Sequence, residues 1–318
     1  MKCYNCGMEI TGEPLCEMVD EKERCYCCHS CKEYSWCQSV IKNFKTGVET
    51  LDALLPDGMP RNVLTLVTGE AGTGKSVLLA ELAYRALARG EPVVFVVLED
   101  TALSLIQRFI CLSWNIFPYL EKGQLRVLDG FAYRIRREKP YKRLSTVSER
   151  IQKISQTGIS ILEDPTDLDR VTEKIERALD EMGALNTGVV LLDSLTELAS
   201  TSAAQVTEFV KDVRATVPKE RYVPMFMAAH LGIFEDFPKN LEYIVDGSID
   251  LAFDPNFMLK GNLIKQMRVR KMSGVRNIPV WAPFEIAQGK GLAPMAKADA
   301  EILDLLMKLK PGPEEKGG

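Results

Sequence analysis

A glycine-rich segment, GEAGTGKS, lies between two stretches of regular hydrophobic pattern and constrains the fold more than any other part of the chain. Before it, residues 63–68 form a short apolar run with the length of a buried strand. After it, apolar residues recur with helical spacing from Val77 to Ala86, and Gly90 ends the pattern. The order strand, loop, helix predicts a phosphate-binding loop at the start of a helix. Its residues are Gly69, Glu70, Ala71, Gly72, Thr73, Gly74, Lys75 and Ser76.

The glycines of this loop let consecutive main-chain N–H groups converge on phosphates, and the helix adds the positive end of its dipole. We expect the Lys75 ammonium to reach the β- and γ-phosphates and the Ser76 hydroxyl to bind Mg²⁺. A glycine-rich turn without a ligand is the alternative, but the eight-residue pattern and both flanks would then have to coincide by accident. The motif therefore predicts a site for ATP with Mg²⁺.

Strand-like apolar runs alternate with helical stretches through the middle of the chain, as is typical of a parallel sheet flanked by helices. Near the C-terminus, runs joined by short polar turns predict antiparallel strands along one edge. The sequence therefore predicts an α/β fold with a mostly parallel sheet, and a final helix at 298–309. The expected parallel strands are 63–68, 93–98, 125–128, 189–192 and 223–228, and the antiparallel runs are 248–253, 263–271 and 279–286.

Acidic residues end two of the predicted buried strands. Asp193 follows the run VVLL, where a phosphate-loop protein needs a second carboxylate to hold Mg²⁺. An acidic helix cap is the alternative, because Ser194 and Thr196 follow. Glu99 and Asp100 end the strand after the phosphate-loop helix, and Glu99 is the candidate base for the attacking water. Capping of the next helix is the alternative for this pair.

Eight of the nine cysteines lie in the first 37 residues, which sets this segment apart. CxxC at residues 3–6 and CCHSC at 27–31 suit a tetrahedral thiolate site, for which Zn²⁺ is the favoured metal. In a reducing cytosol we expect such cysteines to bind metal rather than form disulfides, although spare thiols leave room for copper or redox sensing. The candidate ligands are Cys3, Cys6, Cys31 and either Cys27 or Cys28, with Cys16, Cys25 and Cys37 outside the set.

Residues 47–82, GVETLDALLPDGMPRNVLTLVTGEAGTGKSVLLAEL, resemble the opening of the KaiC-like branch of the RecA ATPases. VVFVVLED is similar to the strand that ends in the family's catalytic acidic pair, and VVLLDSL to its Walker B strand. YIVDGSIDLAF and VRKMSGVRNIPVWAPFEI are similar to its late sheet edge and terminal hairpin. The resemblance implies a RecA-like core that stacks into homo-oligomeric rings or filaments with ATP between neighbours. We divide the chain into a cysteine-rich module (1–40), an ATPase core (41–288) and a C-terminal helix and tail (289–318).

The resemblance also implies that basic residues reach the ATP of a neighbouring subunit, and Lys271 stands at the matching position. The family's usual run is Lys-Met-Arg-Gly, whereas this chain has Ser273 in place of the arginine. The sequence therefore predicts slow hydrolysis unless Arg270 or Arg276 substitutes, because trans-acting arginines supply orders of magnitude in rate. His230 stands where the family places a residue that senses the γ-phosphate, with a hydrogen-bonded core histidine as the alternative.

The runs CYNCGMEI and CYCCHSCKEY resemble the small metal-binding module, of the treble-clef or TRASH-like kind, at the N-termini of some heavy-metal transporting ATPases. Tyr26 replaces the phenylalanine of that module's pattern. The resemblance implies a metal site in the first 40 residues.

The formal net charge of −4 gives no general attraction to nucleic acid or to an acidic membrane. A basic segment at 133–143 is the exception, and a solvated surface loop is its simplest interpretation. No apolar run has the length of a membrane span and the N-terminus lacks the core of a secretory signal, so we expect a cytoplasmic protein without membrane contacts.

These observations favour an Mg²⁺-dependent ATPase that couples its nucleotide state to a protein partner or assembly. A nucleotide-gated regulatory protein with little turnover is one alternative. A recombinase-like ATPase is another, supported by the fold and the basic segment and opposed by the net charge. Autophosphorylation, an activity seen in the KaiC family, is a fourth hypothesis, for which the sequence shows no dedicated acceptor.

Overall fold

The chain divides into two compact units, Met1–Phe44 and Lys45–Gly318. The basic segment 133–143 and the helix predicted at 298–309 lie outside the described residues. Within the described part of the chain, no helix has the length and apolar character needed to cross a membrane. The computed structural model describes residues 1–19, 22–40, 43–132, 158–231, 241–258 and 263–295, with the backbone alone at 36–40 and 199–200.

The smaller unit contains a two-stranded hairpin followed by one helix. Its elements are β1 (Leu15–Val19), β2 (Lys22–Tyr26) and α1 (His29–Val40). The Tyr26 side chain is fully buried, and its hydroxyl lies 3.1 Å from both Glu17 Oε1 and Ser35 Oγ. A buried aromatic ring with a hydrogen-bonded polar end thus ties the hairpin to the helix.

A disulfide joins Cys16 to Cys25 across this hairpin. The two residues are direct partners in the antiparallel register of β1 and β2, so their side chains leave the same face of the ribbon. The expectation that the clustered cysteines remain unpaired is therefore wrong for this pair. Neither residue belongs to the predicted set of metal ligands.

The larger unit is built on one ten-stranded sheet. Its strands are β3 (Leu64–Gly69), β4 (Val93–Val97), β5 (Leu125–Asp129), β6 (Ile159–Ile161), β7 (Val189–Asp193), β8 (Met225–His230), β9 (Gly247–Phe253), β10 (Lys265–Met272), β11 (Ala282–Ala287) and β12 (Gly291–Pro294). They lie in the order β12-β11-β10-β9-β3-β8-β7-β4-β5-β6, in which β10, β11 and β12 are antiparallel and the remaining strands are parallel. The predicted α/β fold with an antiparallel C-terminal edge is confirmed. The predicted antiparallel pairing is wrong for 248–253, because these residues belong to β9, which pairs in parallel with β3 and meets the antiparallel edge through β10.

The helices at Leu168–Glu181 and Ala203–Arg214 pack on one face of the sheet, where Val171 and Phe209 join strand residues such as Leu66 and Val96 in one apolar core. The helix at Lys75–Ala88 contacts β7 and β8 outside this cluster. The helices are α2 (Glu49–Leu54), α3 (Lys75–Ala88), α4 (Ala102–Cys111), α5 (Phe117–Glu121), α6 (Leu168–Glu181), α7 (Ala203–Arg214) and α8 (Pro255–Met258), with a 3₁₀ helix at Leu195–Ser200 and a π-helix at Ala215–Glu220.

Strand β12 extends the sheet beyond residue 288, where we placed the end of the core. It begins at Gly291, which has a φ of +85° and whose Cβ, if present, would lie 2.2 Å from Glu81 Oε2. The Glu81 carboxylate is buried in α3 and accepts the main-chain N–H of Leu292 at 2.7 Å. The strand is therefore positioned by a contact with a helix that lies far away in the sequence.

Candidate functional site

The phosphate loop and the predicted acidic residues meet at one edge of the large sheet. Strands β3, β8, β7 and β4 are parallel neighbours, so their carboxyl ends lie side by side. Gly69 on β3 is opposite His230 on β8. The carbonyl oxygen of Asp193 on β7 accepts the N–H groups of Leu98 at 2.7 Å and Glu99 at 3.3 Å. Carboxyl ends of strands at such a crevice are where open α/β sheets bind ligands.

The backbone of the phosphate loop requires glycine at three positions. Gly72 and Gly74 have φ angles of 78° and 108°, a region that other residues rarely adopt. A Cβ on Gly69 would lie 2.4 Å from Leu251 O and 2.7 Å from Thr73 Oγ1. Helix α3 starts directly after Gly74, which places its first N–H groups beside the loop. The loop is exposed at Glu70, Ala71 and Gly72.

The Lys75 ammonium is held inside the loop. Its Nζ donates hydrogen bonds of 2.8 Å to the carbonyl oxygens of Gly69 and Glu70. Burial lowers the pKa of Lys75, and the carboxylates of Glu99 and Asp193 act against that shift. The cation thus lies within the field of the acidic residues that the sequence analysis assigned to the same site.

Asp193 offers a buried carboxylate at the end of β7. Its Oδ1 atom has no hydrogen-bond partner among the described residues. Burial raises the pKa of Asp193, and the Arg108 guanidinium and the Ser76 hydroxyl oppose that shift. A buried carboxylate oxygen without a partner, next to a hydroxyl, fits the oxygen ligands that Mg²⁺ requires. The following 3₁₀ helix has Ser194 at its N-cap, so Asp193 does not have the capping role considered as the alternative.

The two acidic residues after β4, Glu99 and Asp100, make different contacts. Glu99 Oε2 lies 2.8 Å from His230 Nε2, and the Glu99 side chain is 41% exposed. Helix α4 is capped by Thr101, whose hydroxyl accepts the Ser104 N–H at 3.1 Å, while Asp100 accepts the Thr101 N–H at 2.8 Å. The helix start is thus stabilised by Thr101 and Asp100, and Glu99 remains accessible to water beside the phosphate loop.

His230 is held through both its main chain and its side chain. Its N–H donates to Thr196 Oγ1 at 2.8 Å, and the largely buried imidazole pairs with Glu99. The core-histidine alternative accounts for the burial, but the partner of the ring is the candidate base.

Lys271 lies away from the phosphate loop of its own chain. In the sheet register, Asp250 on β9 is the partner of Thr68, near the loop, and of Arg268 on β10. Lys271 is three residues beyond Arg268, which is about 10 Å along the strand at about 3.3 Å per residue. The Lys271 Nζ donates to the carbonyl oxygen of Val245 at 2.7 Å. This ammonium therefore does not contribute to the site of its own subunit.

The two arginines considered as substitutes for the missing family arginine have acidic partners within the chain. Arg270 lies 2.6 Å from Glu242 Oε1 and 3.0 Å from Asp250 Oδ1. Arg276 is largely exposed and lies 3.7 Å from Asp57 Oδ2. Neither contact brings the guanidinium to Asp193 or to the phosphate loop.

Four of the five candidate thiols in the smaller unit form one cluster. The sulfur atoms of Cys3, Cys6, Cys27 and Cys31 all lie within 4.8 Å of one another. Cys27 Sγ is 3.7 Å from Cys6 Sγ and 3.5 Å from Cys31 Sγ. These separations are close to the ~3.8 Å expected between sulfurs around a tetrahedral zinc ion with bonds of about 2.3 Å. Cys28 is exposed and its Sγ is 3.8 Å from Cys27 Sγ, but it is not among the four sulfurs that all lie within 4.8 Å of one another.

Neighbouring groups shift the ionisation of these thiols in opposite directions. The main-chain N–H of Cys6 lowers the pKa of Cys3 to about 6, so that this thiol ionises at neutral pH. Hydrogen bonding with the sulfurs of Cys31, Cys3 and Cys6 raises the pKa of Cys27. Four adjacent thiolates repel one another unless a cation compensates their charge, and zinc deprotonates the thiols that it binds. The donor set therefore fits a zinc ion.

Sequence reasoning missed Arg108 on helix α4. Its Nη1 lies 3.6 Å from Asp193 Oδ2 and its Nη2 lies 3.9 Å from Asp100 Oδ2. In the sequence it looks like an ordinary basic residue in the last turn of an amphipathic helix. Its spacing could have revealed it: Arg108 follows the acidic pair by about two turns of the helix that starts there, which places it on the same side of that helix as its start.

A family model described as ATPase: KaiC matches residues 44–297. The chain belongs to the KaiC ATPase family. The matched segment begins at the last residue of the smaller compact unit and includes β12. Membership of the KaiC ATPase family indicates nucleotide binding and ATPase chemistry for the larger unit.

Similar proteins come from several prokaryotes. UPF0273 protein PH0284 of Pyrococcus horikoshii is 26% identical over 254 residues, which cover 80% of this chain and 94% of the relative. UPF0273 protein MK0039 of Methanopyrus kandleri is 28% identical over 250 residues, which cover 78% and 90%. The crystal structure of the KaiC-like protein PH0186 of P. horikoshii superposes with a TM-score of 0.60 at 23% identity, covering 80% of this chain and 100% of that protein. This superposition confirms the KaiC-like, RecA-type fold.

Proposed function

We propose that this KaiC-family chain binds ATP with Mg²⁺, hydrolyses it slowly, and transmits its nucleotide state to a protein partner or to further copies of itself. The observation that carries the proposal is the meeting of Lys75, Asp193 and Glu99 beside the glycine loop, at the carboxyl ends of adjacent parallel strands. Each of these residues supplies a group that phosphoryl transfer to water requires.

In the proposed reaction, the loop N–H groups and the Lys75 ammonium bind the phosphates and hold them in place. Ser76 and Asp193 would hold Mg²⁺, which neutralises charge on the β- and γ-phosphate oxygens when bound. Glu99 accepts a proton from the water that attacks the γ-phosphorus, while the bond from the γ-phosphorus to the β-γ bridging oxygen breaks and ADP leaves. His230 keeps the Glu99 carboxylate in place through their 2.8 Å contact.

We further propose that Lys271 acts on the ATP of a neighbouring subunit. The register of β9 and β10 places Lys271 opposite Ser248, toward the amino end of β9 and away from the end of the sheet that carries its own phosphate loop. A head-to-tail ring or filament would bring this surface to the nucleotide of the next copy.

Nucleotide affinity and phosphate release by the purified chain test the proposed function. We expect Lys75→Ala to lose at least about tenfold in ATP affinity, because the ammonium is the loop's main charge contact with the phosphates. We expect Glu99→Gln to keep its ATP affinity and to lose about 100-fold or more in turnover, because the amide no longer accepts a proton.

Matched controls come from helix α7, where Lys211 and Glu208 form an exposed ion pair. Lys211→Ala and Glu208→Gln should behave as wild type. Undiminished ATP affinity of Lys75→Ala would refute the phosphate-loop assignment, and wild-type turnover by Glu99→Gln would remove Glu99 from its role.

A nucleotide-gated regulatory protein with little turnover is the second candidate function. It is favoured by Ser273, which replaces the family's inter-subunit arginine, and by the acidic partners that hold Arg270 within its own chain. ATP that binds but is released intact, with wild-type phosphate release no faster than that of Glu99→Gln, would support this function over the first.

We also propose that Cys3, Cys6, Cys27 and Cys31 hold a structural Zn²⁺ ion, and that the smaller unit serves as a docking or sensing element. The four sulfurs all lie within 4.8 Å of one another, and a unit this small has little apolar core to stabilise it without a metal. Elemental analysis of the purified chain tests the proposal, since absence of bound metal after expression with zinc would refute it.

A further inference from the structure

The Arg108 side chain contacts carboxylates at the ends of two strands of the candidate site. It lies in the last turn of α4, and its guanidinium reaches back over the helix start to the ends of β7 and β4. One nitrogen is 3.6 Å from Asp193 and the other is 3.9 Å from Asp100. The Arg108 side chain is only 24% exposed, so solvent screens these interactions less than it screens a surface ion pair.

The surroundings of Arg108 concentrate negative charge. Asp193 is buried, Asp100 is partly exposed, and Glu99 adjoins both through the backbone. His230 pairs with Glu99, whereas the guanidinium of Arg108 faces the other two carboxylates. The two members of the acidic pair are thus drawn to different partners, which keeps Glu99 separate from Asp100 and oriented toward the phosphate loop.

On the basis of the proposed ATPase function, we propose that Arg108 is a positioning residue that orients Asp193 and Asp100 from within the same subunit. A planar guanidinium with several fixed donors suits a site between two carboxylates, and a lysine ammonium does so less well. In this role Arg108 places a positive charge next to Asp193, the proposed Mg²⁺ ligand. The chain has Ser273 at the position of the family's inter-subunit arginine, so this charge comes from within the same subunit.

The role has a consequence for Mg²⁺ that a merely structural ion pair would not have. Arg108 and a bound Mg²⁺ carry like charges and share the carboxylate of Asp193. Removing the guanidinium should therefore lower the Mg²⁺ concentration needed for half-maximal turnover by about three- to fivefold, equivalent to up to about 1 kcal/mol. At the same time kcat should fall by about 10- to 100-fold, because the two carboxylates lose their orientation.

Two measurements test this proposal with Arg108→Gln and Arg108→Lys: steady-state turnover as a function of ATP and Mg²⁺ concentration, and equilibrium ATP binding as a function of Mg²⁺ concentration, in which the Mg²⁺ midpoint should shift in the same direction. We expect Arg108→Gln to show both the lower Mg²⁺ midpoint and the lower kcat, and Arg108→Lys to recover part of each because it keeps the charge. Arg177→Gln is the matched control, since Arg177 lies on α6 with its side chain 80% exposed, paired with Glu181. It should behave as wild type.

The outcomes separate this inference from the function on which it depends. An inactive wild-type chain would refute the proposed function itself. An active wild type with an unchanged Mg²⁺ midpoint and unchanged kcat in Arg108→Gln would refute only the role of Arg108. A loss of kcat with an unchanged Mg²⁺ midpoint in both variants, together with a lower melting temperature, would assign Arg108 to stability instead.

Discussion

Cys27 and Cys28 are neighbours in the chain, yet only Cys27 belongs to the group of four sulfurs that all lie within 4.8 Å of one another. Cys27 Sγ is 3.7 Å from Cys6 Sγ and 3.5 Å from Cys31 Sγ. Cys28 is exposed, and its Sγ lies 3.8 Å from Cys27 Sγ at the margin of this group. This local geometry favours Cys27 as the fourth ligand in the proposed metal site.

We predict that Cys27→Ser lowers the bound zinc well below the about one ion per chain that a four-thiolate site holds. Cys28→Ser is the matched control and should keep the wild-type content, because the Cys28 sulfur approaches Cys27 but is not within 4.8 Å of all the other candidate ligands. Zinc content by mass spectrometry, with protein concentration measured in parallel, checks both variants. The reverse result, metal lost from Cys28→Ser and kept by Cys27→Ser, would refute the assigned ligand set.

At the scale of secondary structure, strand β12 depends on one glycine. Gly291 combines a φ of +85° with a potential Cβ contact of 2.2 Å to the Glu81 carboxylate. That carboxylate is buried and already accepts the N–H of Leu292, so it cannot move aside without losing a hydrogen bond. The antiparallel edge of the sheet is therefore sensitive to the size of this residue.

We predict that Gly291→Ala lowers the free energy of unfolding by about 3 kcal/mol, the sum of a positive-φ cost and overpacking against Glu81. Gly289→Ala is the matched control, because Gly289 has a φ of +75° but no described heavy atom within 4 Å of its potential Cβ. It should cost only about 1 to 2 kcal/mol. Urea denaturation of the two variants measures the difference, and equal losses would show that the contact with Glu81 has no effect.

Strands β3, β4 and β7 could be predicted because each is a continuous apolar run that is buried on both faces. The short strands β6 and β12 could not, since three or four residues carry no periodic signal and β12 depends on the distant Glu81. The boundaries of the long strands differ from the predictions by one or two residues at most ends, as hydrogen bonding rather than polarity decides where a strand stops.

The candidate site divides in the same way. Lys75, Asp193 and Glu99 could be proposed from the sequence because each stands in a recognisable local context, a loop or the end of an apolar strand. Arg108 and the contact between Glu99 and His230 join separate elements, so they depend on the order of strands in the sheet. Such pairings become visible only when the topology is known.

At the scale of the whole molecule, the position of Lys271 predicts that sites are shared between copies. We expect Lys271→Ala to lose turnover while its own phosphate loop remains intact. Lys75→Ala has the opposite defect, because it keeps Lys271 but binds ATP poorly. In an equal mixture that assembles at random, about a quarter of all sites combine an intact loop with an intact neighbouring lysine, so turnover should return to about a quarter of wild type.

The matched control is a mixture of Lys75→Ala with Glu99→Gln, whose defects both lie in the loop-bearing subunit. This mixture should show no gain over the separate variants. Phosphate release in each mixture, with assembly followed by size-exclusion chromatography, gives the answer. Wild-type turnover by Lys271→Ala alone, or assembled mixtures without any gain, would refute a shared site.

The hydrogen bonds that Leu98 and Glu99 donate to the carbonyl oxygen of Asp193 make the proposed metal ligand and the proposed base a single mechanical piece. No loop intervenes to absorb a displacement between them, and each bond is a main-chain contact at the end of a strand. Any shift of the end of β7 after γ-phosphate release would therefore also move the backbone of Glu99. In the proposed mechanism, the contacts to the cation and to the attacking water would then be lost together, and product release would be an all-or-none event.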